Sequence, residues 1–400
     1  MAEKVVVSYS IYTMKKTINE FESNILQILI KSGKLQIRAI SQLSGMSVPT
    51  ITKYMSSLVD KNLVKQVGKT SSERGRQATL YAVNEAVAYF IGVDLKRTMV
   101  SLAMMNLAGT IVKEYIVPYE YSNTPESMEI ICENIDMFIE DSGICRDRVA
   151  GISVNLSGRV NPETGHSYSI FHFEGIDEPL SEVLTNRLGI STHVDNNTRA
   201  MALGEMRTVI GDQFRNFLFI NASWGIGMSI IIDGKLYYGK NGYCGELGHT
   251  NAFVNEKMCH CGKKGCLETE VSGKAICEQL RNRVNQGETS RLGKANYINE
   301  RDVVRAANEE DPLSIELLEK AGTLLGKQVA NMINIFNPEA VIIGGSLSTA
   351  GDYFLQPILQ SVRRYALKLM YKNTMIIPSK LGERAGVVGA CHEARDNFLS

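Results

Sequence analysis

The sequence predicts an α/β protein in which a small helical domain closed by a hairpin precedes a larger module of two α/β lobes. Three observations carry this. Three short stretches of helical periodicity between Phe21 and Leu58 are followed by two short strand-like runs. Beyond Asn84 apolar strands alternate with amphipathic helices, and the alternation starts afresh near Phe217. Charge is also uneven: residues 1–85 hold twelve basic side chains against six acidic ones, so in a chain of zero formal net charge the remainder is negative. A basic end on a neutral chain points to nucleic acid as its partner.

A chain of 400 residues with 44% apolar and 22% charged side chains builds two or three globular domains. No apolar run reaches the roughly 20 residues of a membrane span, and the N-terminus lacks the charged, apolar and small-residue order of a secretory signal. The expectation is a cytoplasmic protein without membrane contact. The boundaries are placed at 1–85, at 86–200 with completion by a C-terminal helix 386–400, and at 201–385.

Within the first domain, Phe21 to Lys31 reads as a helix with Phe21, Ile25, Ile28 and Leu29 on one face, stopped by Ser32-Gly33. A second helix, Ile37 to Ser44, ends at Gly45. Ser47 then caps a third, with Pro49 in its first turn and Ile51, Tyr54, Met55 and Leu58 spaced to face a core. That spacing leaves Thr50, Thr52, Lys53 and Ser56 outside, small polar or basic groups suited to base edges and phosphates. Leu63 to Val67 and Ala78 to Val83 read as strands joined by a basic loop, Gly68 to Arg76. The pieces resemble the winged helix-turn-helix that opens bacterial repressors. The resemblance implies double-stranded DNA as partner, contacted by Ser47, Thr50, Thr52 and Lys53 and, from the wing, by Lys69, Arg74 and Arg76.

In the larger module Phe90 to Leu95, Met99 to Asn106 and Thr110 to Pro118 form a strand meander, followed by a helix from Pro125 to Ser142 and a strand from Val149 to Asn155. Phe217 to Asn221 and Gly227 to Ile232 open the second set, and Ala340 to Ile343 follows a long helix ending near Asn337. Two lobes of this kind facing one another leave a cleft for a small ligand.

The densest chemistry lies in Glu246-Leu-Gly-His249 and Cys259-His-Cys261-Gly-Lys-Lys-Gly-Cys266-Leu-Glu268. One imidazole and three thiols at this spacing can close a tetrahedral zinc site. Such a metal would join two loops and aim Glu246, Glu268 and the outer edge of His249 at a common point, where they read the hydroxyls of a polar ligand. The other cysteines, Cys132, Cys145, Cys244, Cys277 and Cys391, are expected as reduced core thiols.

Asp94-Leu-Lys-Arg-Thr98, Ser157 to Gly165, Asp195-Asn196-Asn197, Gly225-Ile-Gly227, Gly242 to His249, the cysteine cluster and Asn337 to Gly345 together resemble the ROK family of bacterial sugar kinases and sugar-responsive repressors. The winged helix ahead of them is similar to the repressor branch. The resemblance implies a two-lobed, actin-like (ribonuclease H-like) sugar kinase module. It implies sugar contacts from Asn196, Asn197, Glu246, His249 and Glu268. It also implies a structural Zn2+ on His249, Cys259, Cys261 and Cys266, with His260 between two ligands as a weaker competitor.

The chain departs from the kinases of that family where phosphate is transferred. Asn197 stands where they carry an aspartate base, and a carboxamide has no basic site at neutral pH. Asp195, two residues earlier, is a poor substitute. Lys96 and Arg97 replace glycines of the first phosphate turn, and Ser223-Trp224 precede Gly225-Ile-Gly227, with the tryptophan expected to protrude where phosphate would lie. No catalytic residue is therefore assigned. The expected function is a repressor of carbohydrate genes that senses a sugar or sugar phosphate as a homodimer or dimer of dimers. The rivals are an active sugar kinase with an attached DNA-binding domain and a repressor governed by a protein partner.

Overall fold

The computed structural model describes residues 17–69, 77–172, 177–294 and 297–400. The tail 1–16 and two wing residues named above, Arg74 and Arg76, lie outside them. Two compact units emerge, one running to Asp195 and including Ala390–Ser400, the other spanning Asn196–Gly389.

The first unit opens with α1 (Glu20–Ser32), β1 (Leu35–Gln36), α2 (Ile37–Ser44), α3 (Val48–Asp60), β2 (Val64–Lys69) and β3 (Thr79–Val83), the strands pairing in the order β1-β3-β2. Asn19 and Glu22 form a reciprocal capping box on α1, left-handed Gly45 ends α2, and the Ser47 side chain caps α3. Ile25, Leu26, Leu29, Ile40, Ile51, Met55 and Leu58 make the core.

Phe21 departs from the expected face: it is exposed and stacks on Tyr54 at 5.4 Å between ring centres. Glu22 is buried instead, its carboxylate meeting the Lys61 ammonium at 2.7 Å and the Ser57 hydroxyl at 2.6 Å. Burial pushes this carboxyl up, but Lys61, Ser57 and the Asn19 N–H outweigh it and hold the pKa below the ordinary value. A buried carboxylate with this many partners is tolerated where an unpaired one is not.

A five-stranded sheet follows in the same unit, built from β4 (Tyr89–Lys96), β5 (Met99–Asn106), β6 (Ile111–Pro118), β7 (Val149–Leu156) and, beyond the short hairpin β8 (Val160–Asn161) and β9 (His166–Ser167), β10 (Thr192–Asn196). Its order is β10-β7-β4-β5-β6, with β4 antiparallel to β5 and parallel to β7. The helices α4 (Pro125–Asp141) and α5 (Leu180–Leu188) supply Ile131, Ile135, Phe138, Leu184 and Leu188 to the core on this sheet.

The second unit begins with α6 (Asn197–Glu205) and holds a sheet of β11 (Phe217–Ala222), β12 (Ile226–Ile232), β13 (Lys235–Leu236), β14 (Ala340–Gly344) and β15 (Met375–Pro378), ordered β13-β12-β11-β14-β15. Here too the first strand is central, antiparallel to the second and parallel to the fourth. The restart near Phe217 is therefore a repeat of one strand plan.

Around this sheet run α7 (Glu268–Val271), α8 (Gly273–Asn285), α9 (Glu300–Asn308), α10 (Pro312–Phe336), α11 (Asp352–Tyr365) and α12 (Lys368–Tyr371). The long α10 starts at a capping Asp311 and stops at Asn337 in the left-handed conformation. The last helix, α13 (Ala385–Leu399), returns the chain to the first unit, where Phe398 meets Phe90.

Cys132, Cys277 and Cys391 are buried as expected, but Cys145 is exposed at the entry to a 3-10 turn and Cys244 is half-buried. Among the described residues no helix is long and apolar enough to cross a membrane.

Candidate functional site

Three consecutive residues of β12 organise the second unit's site. The Ile226 N–H donates to Glu268 Oε2 at 3.0 Å. At Gly227 a Cβ would stand 2.4 Å from the Thr198 hydroxyl, so only glycine lets the start of α6, with Asn197, come this close. The Met228 N–H donates to the Gly245 carbonyl at 3.0 Å, and Gly245 has a φ of 97° with no room for a Cβ against Met228. Glu246 follows directly and remains exposed.

His249 ends the 3-10 turn Leu247–His249 and faces two ways. Its Nδ1 lies 3.5 Å from Cys259 Sγ, its Nε2 3.7 Å from Glu246 Oε2. Cys261 and Cys266 bring their sulfurs to 3.6 Å, and one donor atom from each of the four residues lies within 4.8 Å of the others. Tetrahedral zinc with bonds of about 2.0–2.3 Å has edges of roughly 3.3–3.8 Å; the 3.5 and 3.6 Å contacts match such edges, and the group as a whole could hold a metal ion. Backbone bridges Asn251 to Cys266 and Met258 to Lys264 hold the loop in this shape. Burial raises the Cys259 thiol pKa, and burial with the neighbouring thiols of Cys261 and Cys259 pushes Cys266 up to about 12. Cys261 moves the other way: burial pushes it up, but the Lys263 N–H and the neighbouring thiols outweigh burial and hold it below the ordinary thiol value. Cys259 and Cys266 keep protons that metal binding must release.

Asn196 and Asn197 stand at the head of α6. Asn196 Oδ1 caps the helix, accepting from the N–H groups of Thr198 and Arg199 at 2.9 and 3.4 Å. From Asn197 a chain of contacts runs through Thr198 and Asn221 to the Ser223 hydroxyl. Two other residues contribute: Arg199, which no local pattern announced, and His260, expected from the sequence only as a weaker competitor for the metal. Arg199, buried in α6, donates to the Gly242 carbonyl at 2.6 Å and lies over Tyr238, pinning the glycine-rich segment before Glu246. His260 places Nδ1 3.1 Å from Glu268 Oε1.

The segment just before β12 is built differently. The Gly273 and Lys274 N–H groups at the start of α8 donate to the Ser223 and Trp224 carbonyls at 2.8 and 3.2 Å. The Ser346 N–H donates to the Ser223 hydroxyl, and the Ser346 hydroxyl to Glu300. Trp224 does not protrude as expected: it is half-buried against the core of this unit, because α8 draws its backbone inward. In the first unit, Lys96 Nζ lies 3.7 Å from buried Asp94, and Arg97 4.0 Å from Glu120. Burial and the Asp94 charge push the nearby Tyr121 up to about 12.

On α3, Ser47, Thr52, Lys53 and Ser56 are exposed and Thr50 half-buried, forming one polar face. The Ser47 and Thr50 hydroxyls meet at 2.8 Å, and the Thr52 hydroxyl donates back to the Val48 carbonyl. Lys69 is exposed at the end of β2.

A DNA-binding motif carrying a two-lobed module with one sugar-kinase strand plan repeated defines the class. The chain belongs to the ROK family, whose pattern matches residues 90–397, and a winged helix-turn-helix DNA-binding pattern matches residues 18–65. It is 30% identical over 356 residues to the DNA-binding transcriptional dual regulator NagC of Escherichia coli, covering 89% of this chain and 86% of that one. A glucokinase of Halalkalibacterium halodurans is 31% identical over 310 residues, 75% of this chain and 93% of the kinase. Among solved structures, a ROK family transcriptional regulator homologous to the E. coli MLC protein superposes with a TM-score of 0.81 at 28% identity, over 96% of both chains. Likeness to the regulators thus extends through the DNA-binding domain, while the kinase matches a shorter span.

Proposed function

We propose that this protein is a sugar-responsive transcriptional repressor of carbohydrate uptake or metabolism genes, whose ROK module binds sugar without phosphorylating it. One observation carries the reading: three successive residues of β12 meet the site, Ile226 bonding Glu268, Gly227 leaving room for Thr198 beside Asn197, and Met228 bonding Gly245 before Glu246. That arrangement suits a ligand rich in hydroxyls. Asn196, Asn197, Glu246, His249 and Glu268 form the sugar site, and His249, Cys259, Cys261 and Cys266 hold a structural Zn2+ that fixes the His249 ring.

Loss of phosphoryl transfer is supported by the chemistry opposite. Asn197 cannot serve as general base. The Ser223 N–H is spent on the Gly225 carbonyl and the Ser223 hydroxyl on Asn221, and a carboxylate, Glu300, lies at Ser346, where it would repel a phosphate. The specific observation favouring the rival, a kinase with a DNA-binding domain, is the 31% identity to a glucokinase. Sugar-dependent ATP turnover by the purified chain would establish it.

Ser47, Thr50, Thr52, Lys53 and Lys69, with Arg74 and Arg76, contact operator DNA. The protein acts in the cytoplasm as a homodimer or dimer of dimers. The large apolar side chains of Ile335, Phe336, Tyr365, Leu367 and Leu369, exposed around the ends of α10, α11 and α12, support self-association. Sugar changes DNA affinity to the extent that it binds the DNA-free and DNA-bound arrangements unequally, a coupling of about 1–3 kcal/mol in typical systems. The test is competition: DNA selected from a random pool by the full chain is titrated with mono- and disaccharides and their phosphates. An unchanged DNA affinity throughout sinks the reading.

A further inference from the structure

His260 has no place among the four donors of the thiol cluster, yet it is not a bystander. Its Nδ1 stands 3.1 Å from Glu268 Oε1, and its ring meets that of His249 edge-on at 5.0 Å between centres. The other Glu268 oxygen takes the Ile226 N–H. Both oxygens of the carboxylate are therefore held, one by a strand and one by the cysteine loop. The Glu268 side chain is 16% exposed, that of His260 64%.

We infer that His260 is a ligand-positioning residue of the sugar site, fixing the Glu268 carboxylate and offering its own outer nitrogen to a ligand hydroxyl. The inference rests on the sugar-binding reading above. A neutral imidazole that donates from Nδ1 to a carboxylate carries a lone pair on Nε2, and on a ring this exposed that lone pair is an acceptor. Glu268 is likewise an acceptor when ionised. The ligand chemistry selected is therefore a pair of hydroxyl donors on one face of a saturated ring. A ligand presenting an ether, a methyl or a missing hydroxyl there leaves a polar group without its partner.

The geometry also offers a competing role. His249, His260 and Glu268 can each place a donor atom within 4.8 Å of the others, so His260 could act as a metal ligand. The experiment must tell these roles apart.

Calorimetric titrations of the full-length protein with D-glucose, D-mannose, D-xylose and N-acetyl-D-glucosamine are compared for the unaltered chain, H260A and H260N, with zinc content and melting temperature measured alongside. H260A is expected to weaken the tightest of these sugars about tenfold, the worth of one good hydrogen bond, and to change the preference among the four. Zinc content and melting temperature should stay unchanged. H260N, whose amide can still donate to Glu268, is expected to recover part of that affinity. Unchanged sugar affinity in H260A overturns the role of His260 while leaving sugar binding intact. Loss of zinc in step with loss of affinity overturns it in favour of metal ligation. No binding of any of the four sugars by the unaltered chain overturns a free-monosaccharide site and this role with it.

Discussion

Two neighbouring stretches of the second unit, Ser223-Trp224 and Ile226-Gly227-Met228, meet their surroundings in opposite ways. In the first, the Ser223 N–H goes to the Gly225 carbonyl, both carbonyls accept from α8, and the Ser223 hydroxyl lies between Asn221 and the loop after β14, so its polar groups serve the fold. The second uses backbone N–H groups and one absent side chain to hold Glu268, α6 and the segment before Glu246. Hydroxyl recognition needs side chains held in place, whereas phosphate transfer needs backbone donors left open to the substrate together with a base.

The largest effect is expected at the cysteine cluster. Cys266→Ser should abolish stoichiometric zinc by elemental analysis, lower the melting temperature and reduce sugar affinity by more than about 100-fold, since a buried donor is lost and the loop bearing His249 and His260 is released. Full sugar affinity in a zinc-free variant would detach the metal from recognition.

Glu268→Gln comes next. It should weaken sugar binding by about 10–100-fold, as expected for an ionised acceptor replaced by a neutral one, with zinc retained. A titration showing wild-type affinity would remove Glu268 from the site.

Asn197→Asp sharpens the other side. A carboxylate returned to that position should give no sugar-dependent ATP consumption in a coupled assay, because the Ser223-Trp224 turn and Glu300 stay as they are. Robust turnover would show that the base alone had been missing.

The smallest effect lies in the other unit. Lys53→Ala should lower DNA affinity uniformly across sequences and flatten the slope of log affinity against log salt by about one, while sugar titrations remain unchanged. An unaltered salt slope would take Lys53 off the phosphate backbone.

Elements fixed by local chemistry were legible in the sequence: α2 and α3 run as the Gly45 and Ser47 signals predict, and the strand restart at Phe217 is real. The two-residue β1 has no periodicity to read, because it is created by pairing with β3. Phe21 leaves its expected face and Glu22 is buried, since the partners of Glu22 lie 35 and 39 residues away, at Ser57 and Lys61. The same limit applies to the site. Spacing announced Glu246, His249 and the thiols, but not Arg199 gripping Gly242, 43 residues on, nor the inward turn of Trp224. Contacts set by tertiary packing leave no local pattern.

Holding three recognition segments on adjacent residues of β12 also bears on motion. With Glu268 and the Glu246 segment bonded to one strand and α6 packed against it, a displacement of that strand would be shared by all three and change their mutual spacing less. Groups mounted on separate loops would fluctuate independently and blur the pattern of hydroxyls they read. For the site proposed above, the strand would serve as a shared ruler for the hydroxyls of the ligand.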